Sequence, residues 1–134
     1  MYNGIEIKFE NQYVYLGVPF VQSGTFDAIT KLFMSKSKKA IQPVLKIINN
    51  LNYVNLNTCN KLCDALVKSI LLYAAPIWSP RHLKDMEKIQ NAFYKKLLFL
   101  PQNTPGYAIR LETGVERMEI KIFKIILNYI HKKF

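Results

Sequence analysis

The chain has 134 residues, of which 50% are hydrophobic and 21% charged; this excludes a disordered tail and fits one compact domain with a real core. No apolar run reaches the roughly 20 residues that span a bilayer, and the first residues show no basic stretch followed by an apolar one. The expectation is an intracellular protein, nuclear or cytoplasmic, without membrane contact. Nineteen Lys and Arg against nine Asp and Glu leave a net charge of +10.

Ile5, Ile7 and Phe9 alternate with Glu6 and Lys8, a period of two that predicts a strand. Glu10-Asn11-Gln12 can turn the chain, and Tyr13 to Leu16 reads as the returning strand. Gly17 and Pro19 should end the ladder, since proline donates no hydrogen bond. Two strands alone are marginal in water, so this hairpin must lean on something else.

From about Phe26 the period becomes helical. Ile29, Leu32, Phe33, Ala40, Val44, Ile47, Ile48 and Leu51 fit one apolar stripe, with a kink or break expected at Pro43. Asn49 to Asn57 has loop composition. A second helix should start with Asn57 or Thr58 as its cap, be apolar on nearly every side, and end or bend at Pro76. Ser79-Pro80 predicts a capped restart. There Leu83, Met86, Ile89, Phe93 and Leu97 form the buried stripe, and Arg81, Lys84, Lys88, Lys95 and Lys96 the outer face. Thr104-Pro105 repeats the device before a short helix that Gly114 terminates. The last helix, Glu116 to Phe134, has acids in its first turn and lysines in its last. Its wide apolar side (Ile120, Phe123, Leu127, Ile130) predicts either deep burial or a contact surface, with self-association through this helix as one form.

Cys59 and Cys63 would share a helical face with Leu62 and Leu66, where a free cysteine behaves as a small hydrophobe. His82 and His131 have no paired spacing, so no metal or cofactor is expected. No glycine-rich phosphate loop, nucleophile–base pair or paired carboxylates stand out. No catalytic residue is assigned, and the isolated chain is not expected to be an enzyme.

The charge is uneven. Between Asp27 and Asp64 there is no acid, while Lys31, Lys36, Lys38, Lys39, Lys46 and Lys61 fall inside. Such a field attracts polyanions, with nucleic acid leading because neutralised phosphates release counterions. The alternative is a solvated lysine-rich surface that keeps the chain soluble. Tyr13, Tyr15 and Tyr94 are candidates to stack on bases or sugars, or else core edges with a wet hydroxyl.

Four segments, in order, resemble the reverse transcriptases of non-LTR (LINE-like) retrotransposons. Tyr15-Leu16-Gly17-Val18, after Tyr13, resembles the primer-grip element that closes the palm. Gly24-Thr25-Phe26 leads into a lysine-rich helix, as thumbs of this family begin. Leu71-Leu72-Tyr73-Ala74-Ala75-Pro76-Ile77-Trp78 is similar to a family segment ending in Ile-Trp. Leu98-Phe99-Leu100-Pro101, Thr104-Pro105 and Leu111-Glu112-Thr113-Gly114 resemble the marks that follow. The periodicity predicts a mainly α fold, a short N-terminal β-hairpin followed by a bundle of four to five helices; the resemblance implies that residues 1–23 are the primer-grip-like hairpin and residues 24–134 the thumb-like part. It implies that Tyr15, Leu16 and Gly17 are the grip on a priming strand. Charge, not motif, adds Lys31, Lys36, Lys38, Lys39, Lys46, Lys84, Lys88 and Lys95 as candidate nucleic-acid-binding residues.

The implied function is that of a fragment of an RNA-directed DNA polymerase. It would hold RNA or an RNA–DNA hybrid without reading sequence, with the palm and fingers of the parent polymerase as further partners. No Asp-Asp pair occurs in the chain, so the carboxylates that metal-assisted phosphoryl transfer needs are missing. Pro76 and Ser79 also depart from the family around Trp78. The competing expectation is a domesticated or degenerate helical protein-interaction module without nucleic-acid function.

Overall fold

In the computed structural model, which describes residues 4–6 and 8–134, a two-stranded hairpin leads into six helices among the described residues. Strands β1 (Gln12–Tyr15) and β2 (Val18–Val21) pair antiparallel, Tyr13 opposite Phe20 and Tyr15 opposite Val18. This corrects the expected pairing of a strand over Ile5, Ile7 and Phe9 with Tyr13 to Leu16. Ile7 lies outside the described residues, Lys8 to Glu10 form no regular structure, and Tyr13 to Tyr15 pair with the segment after them. The turn decides the register. Leu16 and Gly17 both take positive φ, 49° and 78°, the type I′ combination whose twist matches its flanking strands. Pro19 does not end the ladder. The Gln22 N–H donates to the Asn11 carbonyl at 3.0 Å, so alternation leaves Val14 and Pro19 as a pair without backbone bonds, where proline is tolerated. Val18, 5% exposed, packs the hairpin onto the first helix.

Helix α1 (Asp27–Asn49) runs through Pro43 without a break. Pro43 and Lys39, whose carbonyl loses its donor to the proline, are both exposed, so water can satisfy that carbonyl. The buried row steps by four from Ile29 through Phe33 and Ser37 to Ile41, then to Val44 and Ile48. That row is the ridge a helix packs against its neighbours. It turns away from Ile47 and Leu51, expected in the stripe but about half exposed.

Helix α2 (Leu56–Leu72) starts earlier than expected. Asn55 is its cap, its Oδ1 accepting the Thr58 N–H at 2.8 Å. Cys59, Cys63, Val67 and Leu71 form its buried face, while Leu66 stays open. The helix stops at Leu72, ahead of Pro76. Ala74 takes a left-handed φ of 52°, and a short helix α3 (Ala75–Trp78) sets off at a 51° bend before a 3₁₀ turn over Ser79–Arg81. Ser79 is not a cap; its buried Oγ has no partner, and His82 precedes α4 (Leu83–Leu97). Thr104 likewise makes no cap bond to α5 (Gly106–Thr113), whereas Gly114, at φ 67°, ends it as expected. Helix α6 (Met118–Lys133) packs on α3 and α4. Among the described residues no single helix is long and apolar enough to cross a membrane. The bent pair α2 and α3 passes that test by length and composition, with Val67, Leu71, Ala75 and Trp78 buried against the other helices.

A turn of π-helix, Cys63–Lys68, interrupts α2; the Ser69 N–H reaches back to the Asp64 carbonyl. The widened turn carries Lys68 into the core at 3% exposure, where its Nζ lies 2.8 Å from Asp64 Oδ1; Lys121 of α6 reaches the same oxygen at 3.1 Å. Alongside, the Tyr94 hydroxyl donates to Asn60 Oδ1 at 2.7 Å, and Asn60 donates to the Thr113 carbonyl. Four helices are thus tied by polar bonds at the edge of an apolar core, where Asp64 is half open to water. Burial pushes the Cys63 thiol up to about 11, so it stays protonated at neutral pH. Burial also pushes the Asp64 carboxyl up, but hydrogen bonds and charge from Lys68 and Lys121 outweigh it and hold the carboxyl below its usual range.

A carboxyl lowered in the folded state contributes stability above its unfolded value, near pH 4, which is lost as pH falls through the folded value. Asp64→Asn leaves a buried ammonium without its counter-charge. We expect a loss of about 1–3 kcal/mol at pH 7, less than for a fully buried pair because Asp64 is half open to water. Urea unfolding should show the gap between the two proteins shrinking at pH 3. A gap that stays constant from pH 7 to pH 3 would refute the assignment.

Candidate nucleic-acid interface

Helix geometry sorts the eight candidate lysines into three settings. Lys31, Lys38, Lys39 and Lys46 recur at i, i+7, i+8 and i+15, opposite the buried row of α1. All four are exposed, and no hydrogen bond or ion pair engages their ammonium groups among the described residues. No acid lies on α1 beyond Asp27 in its first turn, where the helix dipole favours it. The outcome is one straight face of four cations about 22 Å long, from a rise of about 1.5 Å per residue.

Lys36 stands apart from this face. Its Nζ sits 5.6 Å above the centre of the Phe33 ring, within cation–π range. Phe33 meets Tyr73 with ring centres 5.5 Å apart, and the Tyr73 hydroxyl donates to the Leu16 carbonyl at 2.7 Å. Lys36 therefore sits over Phe33, the ring that packs against the tyrosine bracing the turn of Tyr15, Leu16 and Gly17. That turn is open to solvent, with Leu16 72% exposed in a backbone conformation few non-glycine residues adopt. Tyr13, Tyr15 and Phe20 are exposed on the strands leading to it. Tyr94 is fully buried and hydrogen-bonded to Asn60, which corrects its place among the stacking candidates.

Lys84, Lys88 and Lys95 share the outer face of α4 at i, i+4 and i+11, but their surroundings differ. Lys88 is paired with Asp85 at 2.9 Å. The hydrogen bond from Lys88 holds the Asp85 carboxyl below its usual range, and His82 and Lys38 of α1 add to this by charge. Lys84 and Lys88 line a cleft of about 740 Å³ that also contains Asp85, Glu87 and Glu119. Glu87 accepts from Arg110 and from the Met118 N–H, both at 2.8 Å, and so fastens α5 and the start of α6 to α4. Arg81, Arg110 and Arg117 line the same cleft, so its charge is mixed, and Lys88 and Arg110 are already engaged by Asp85 and Glu87. Lys95 lies at the far end of α4, its Nζ donating to the Gln102 carbonyl.

Helices α1 and α4 run side by side in one direction. Asp27 Oδ1, at the start of α1, is 3.8 Å from His82 Nε2 just before α4, and Lys46 and Lys95 flank one groove near the far ends. The fold thus gathers Lys31, Lys38, Lys39 and Lys46, brings Lys95 to the same groove as Lys46, sets Lys36 over Phe33, and leaves Lys84 and Lys88 in a cleft of mixed charge. Sequence reasoning missed the part Tyr73 plays as strut of the turn. Tyr73 and Trp78 do fall together between Leu71 and Trp78, but nothing in the pattern joins them to Leu16. Among the described residues no group of three His, Cys, Asp or Glu side chains is placed to hold a metal ion. Comparison with protein-family models, curated proteins and solved structures gives no match to this chain.

Proposed function

We propose that this chain grips the phosphate backbone of RNA or of an RNA–DNA hybrid without reading its sequence, as the primer-grip and thumb part of a non-LTR retrotransposon RNA-directed DNA polymerase. One observation carries the reading: the face of Lys31, Lys38, Lys39 and Lys46 on α1, with no acid of its own helix beyond Asp27 and no ion pair among the described residues. A row of unpaired ammonium groups in register with a rod of phosphates gains counterion-release free energy, and it contacts no base edge. The resemblance of Tyr15-Leu16-Gly17 to a primer grip agrees with this. An exposed turn braced from below by Tyr73 presents backbone to a strand. Without an Asp-Asp pair the chain supplies no metal-binding carboxylates for polymerisation, so its part is to hold the duplex for a palm that carries them, in the nucleus or cytoplasm. Fluorescence anisotropy of a labelled RNA–DNA hybrid across a salt series tests the proposal. Binding should weaken steeply as salt rises, and weak, salt-insensitive binding would sink it.

A second reading, a helical protein-interaction module without nucleic-acid function, is favoured by a different observation. On α6, Ile120, Phe123, Leu127 and Ile130 are 45–63% exposed on one strip, spaced three and four apart as in a coiled-coil seam. The occupant that fits best is a second copy lying antiparallel. Glu119 in the first turn would then face the partner's basic last turn of His131, Lys132 and Lys133, and the helix dipoles would oppose. Sedimentation equilibrium should find dimers that Leu127→Lys converts to monomers. A wild-type chain that stays monomeric up to its solubility limit removes this reading.

A further inference from the structure

Helix α4 ends on a residue that local preference would not choose. Phe99 takes a left-handed φ of 54°, with the Leu100 N–H on the Lys95 carbonyl at 2.8 Å and its own N–H on the Lys96 carbonyl at 3.4 Å. In this helix-ending motif the left-handed position ordinarily falls to glycine, because a Cβ there is strained. The ring gives the fold nothing in exchange, since Phe99 is 90% exposed. A strained backbone bearing a large apolar ring into water is where a residue serves something outside the chain.

Beside it lies the groove between the far ends of α1 and α4, about 1090 Å³ in volume. Lys46, Lys95 and Lys96 line it with the amides of Gln42 and Gln102, and no carboxylate does. Lys95 is steered by its bond to the Gln102 carbonyl, while Lys46 and Lys96 are unpaired among the described residues.

We infer that this groove takes a single strand of nucleic acid, with a base stacked on Phe99 and successive phosphates on Lys46, Lys95 and Lys96. The inference rests on the nucleic-acid reading above and extends it, since Lys46 both ends the α1 face and opens the groove. A duplex hides its base faces inside its own stack, so a free ring is of use to unpaired bases. Aromatic stacking tolerates any base, in keeping with an interface that contains phosphate contacts and no edge readout. An acidic peptide would satisfy the lysines and leave Phe99 idle.

The test uses the full chain, a labelled uridine oligonucleotide of about ten residues, a blunt RNA–DNA hybrid and polyglutamate. Phe99→Gly should weaken the single strand roughly fivefold or more, leave the blunt hybrid within about twofold, and raise the melting temperature by relieving the backbone. Phe99→Trp should restore single-strand binding. Polyglutamate should compete poorly with the oligonucleotide. Single-strand affinity indifferent to Phe99→Gly, or polyglutamate competing as well as the oligonucleotide, overturns the groove while hybrid binding leaves the broader reading standing. Loss of both ligands from the wild-type chain overturns both.

Discussion

Replacing Lys31, Lys38, Lys39 and Lys46 together by alanine is expected to lower affinity for an RNA–DNA hybrid by about three orders of magnitude near physiological salt. The figure follows from counterion release: each neutralised phosphate adds about 0.9 to the log–log salt slope, so four add about 3.6, worth about 3 log units near 0.15 M salt. The slope itself should flatten by that amount, which separates lost phosphate contacts from general weakening. The four positions are exposed and alanine is a better helix former than lysine, so circular dichroism should be unchanged. The control removes the same charge elsewhere, at Lys8, Lys61, Lys132 and Lys133, all exposed and off this face. If the control set costs as much as the α1 set, net charge and not a built face is responsible, and the proposed interface falls. Lys36→Ala should act differently, through its contact with Phe33, with little change in slope beyond a single contact.

This face shows what could be read in the sequence and what could not. The hairpin-then-helices architecture was legible because Tyr13 to Leu16 reads as a strand, the period becomes helical at Phe26, and Gly114 punctuates the chain as glycine does, although the alternation of Ile5 to Phe9 named the wrong partner strand. The lysine run without acids was legible as charge. Its sorting was not, because sequence spacing says which residues share a helix face and nothing of which other helix stands beside that face. Lys88 meets Asp85 and Lys36 meets Phe33 within one helix, yet only packing puts Glu119 near Lys84, and Phe33 under Tyr73. The missed elements have local physical causes. The hairpin shifted because Leu16 accepts a positive φ that pattern rules reserve for Gly, Asn or Asp. Ser79 failed as a cap because α3 and the 3₁₀ turn consume the residues it would have capped. The π turn at Cys63–Lys68 has no pattern of its own, and it is what lets a lysine lie in the core.

Trp78→Ala should be the most damaging single substitution, costing about 3–5 kcal/mol, the range for deleting a large buried aromatic side chain. Trp78 is 1% exposed and stacks on Phe33, with ring centres 5.9 Å apart and planes 15° from parallel. Its Nε1–H donates to the Tyr73 carbonyl at 2.9 Å, and that bond fixes the link where Ala74 turns left-handed between α2 and α3. Tyr73 in turn holds the Leu16 carbonyl, so loss of the indole should loosen the hairpin turn as well as hollow the core. Trp78→Phe separates the two roles: it keeps most of the ring but leaves the Tyr73 carbonyl without its donor, for a smaller cost of about 1–3 kcal/mol. Tyr73→Phe removes only the strut, and should cost about 1 kcal/mol globally. Hydrogen exchange gives the deciding readout. In Tyr73→Phe the faster amides should be confined to residues 12–21, whereas Trp78→Ala should speed exchange there and in α2 and α3 together. If the hairpin amides of Tyr73→Phe exchange at the wild-type rate, the hairpin is held by the packing of Val18 and Pro19, and the path from Trp78 to Leu16 is not mechanical.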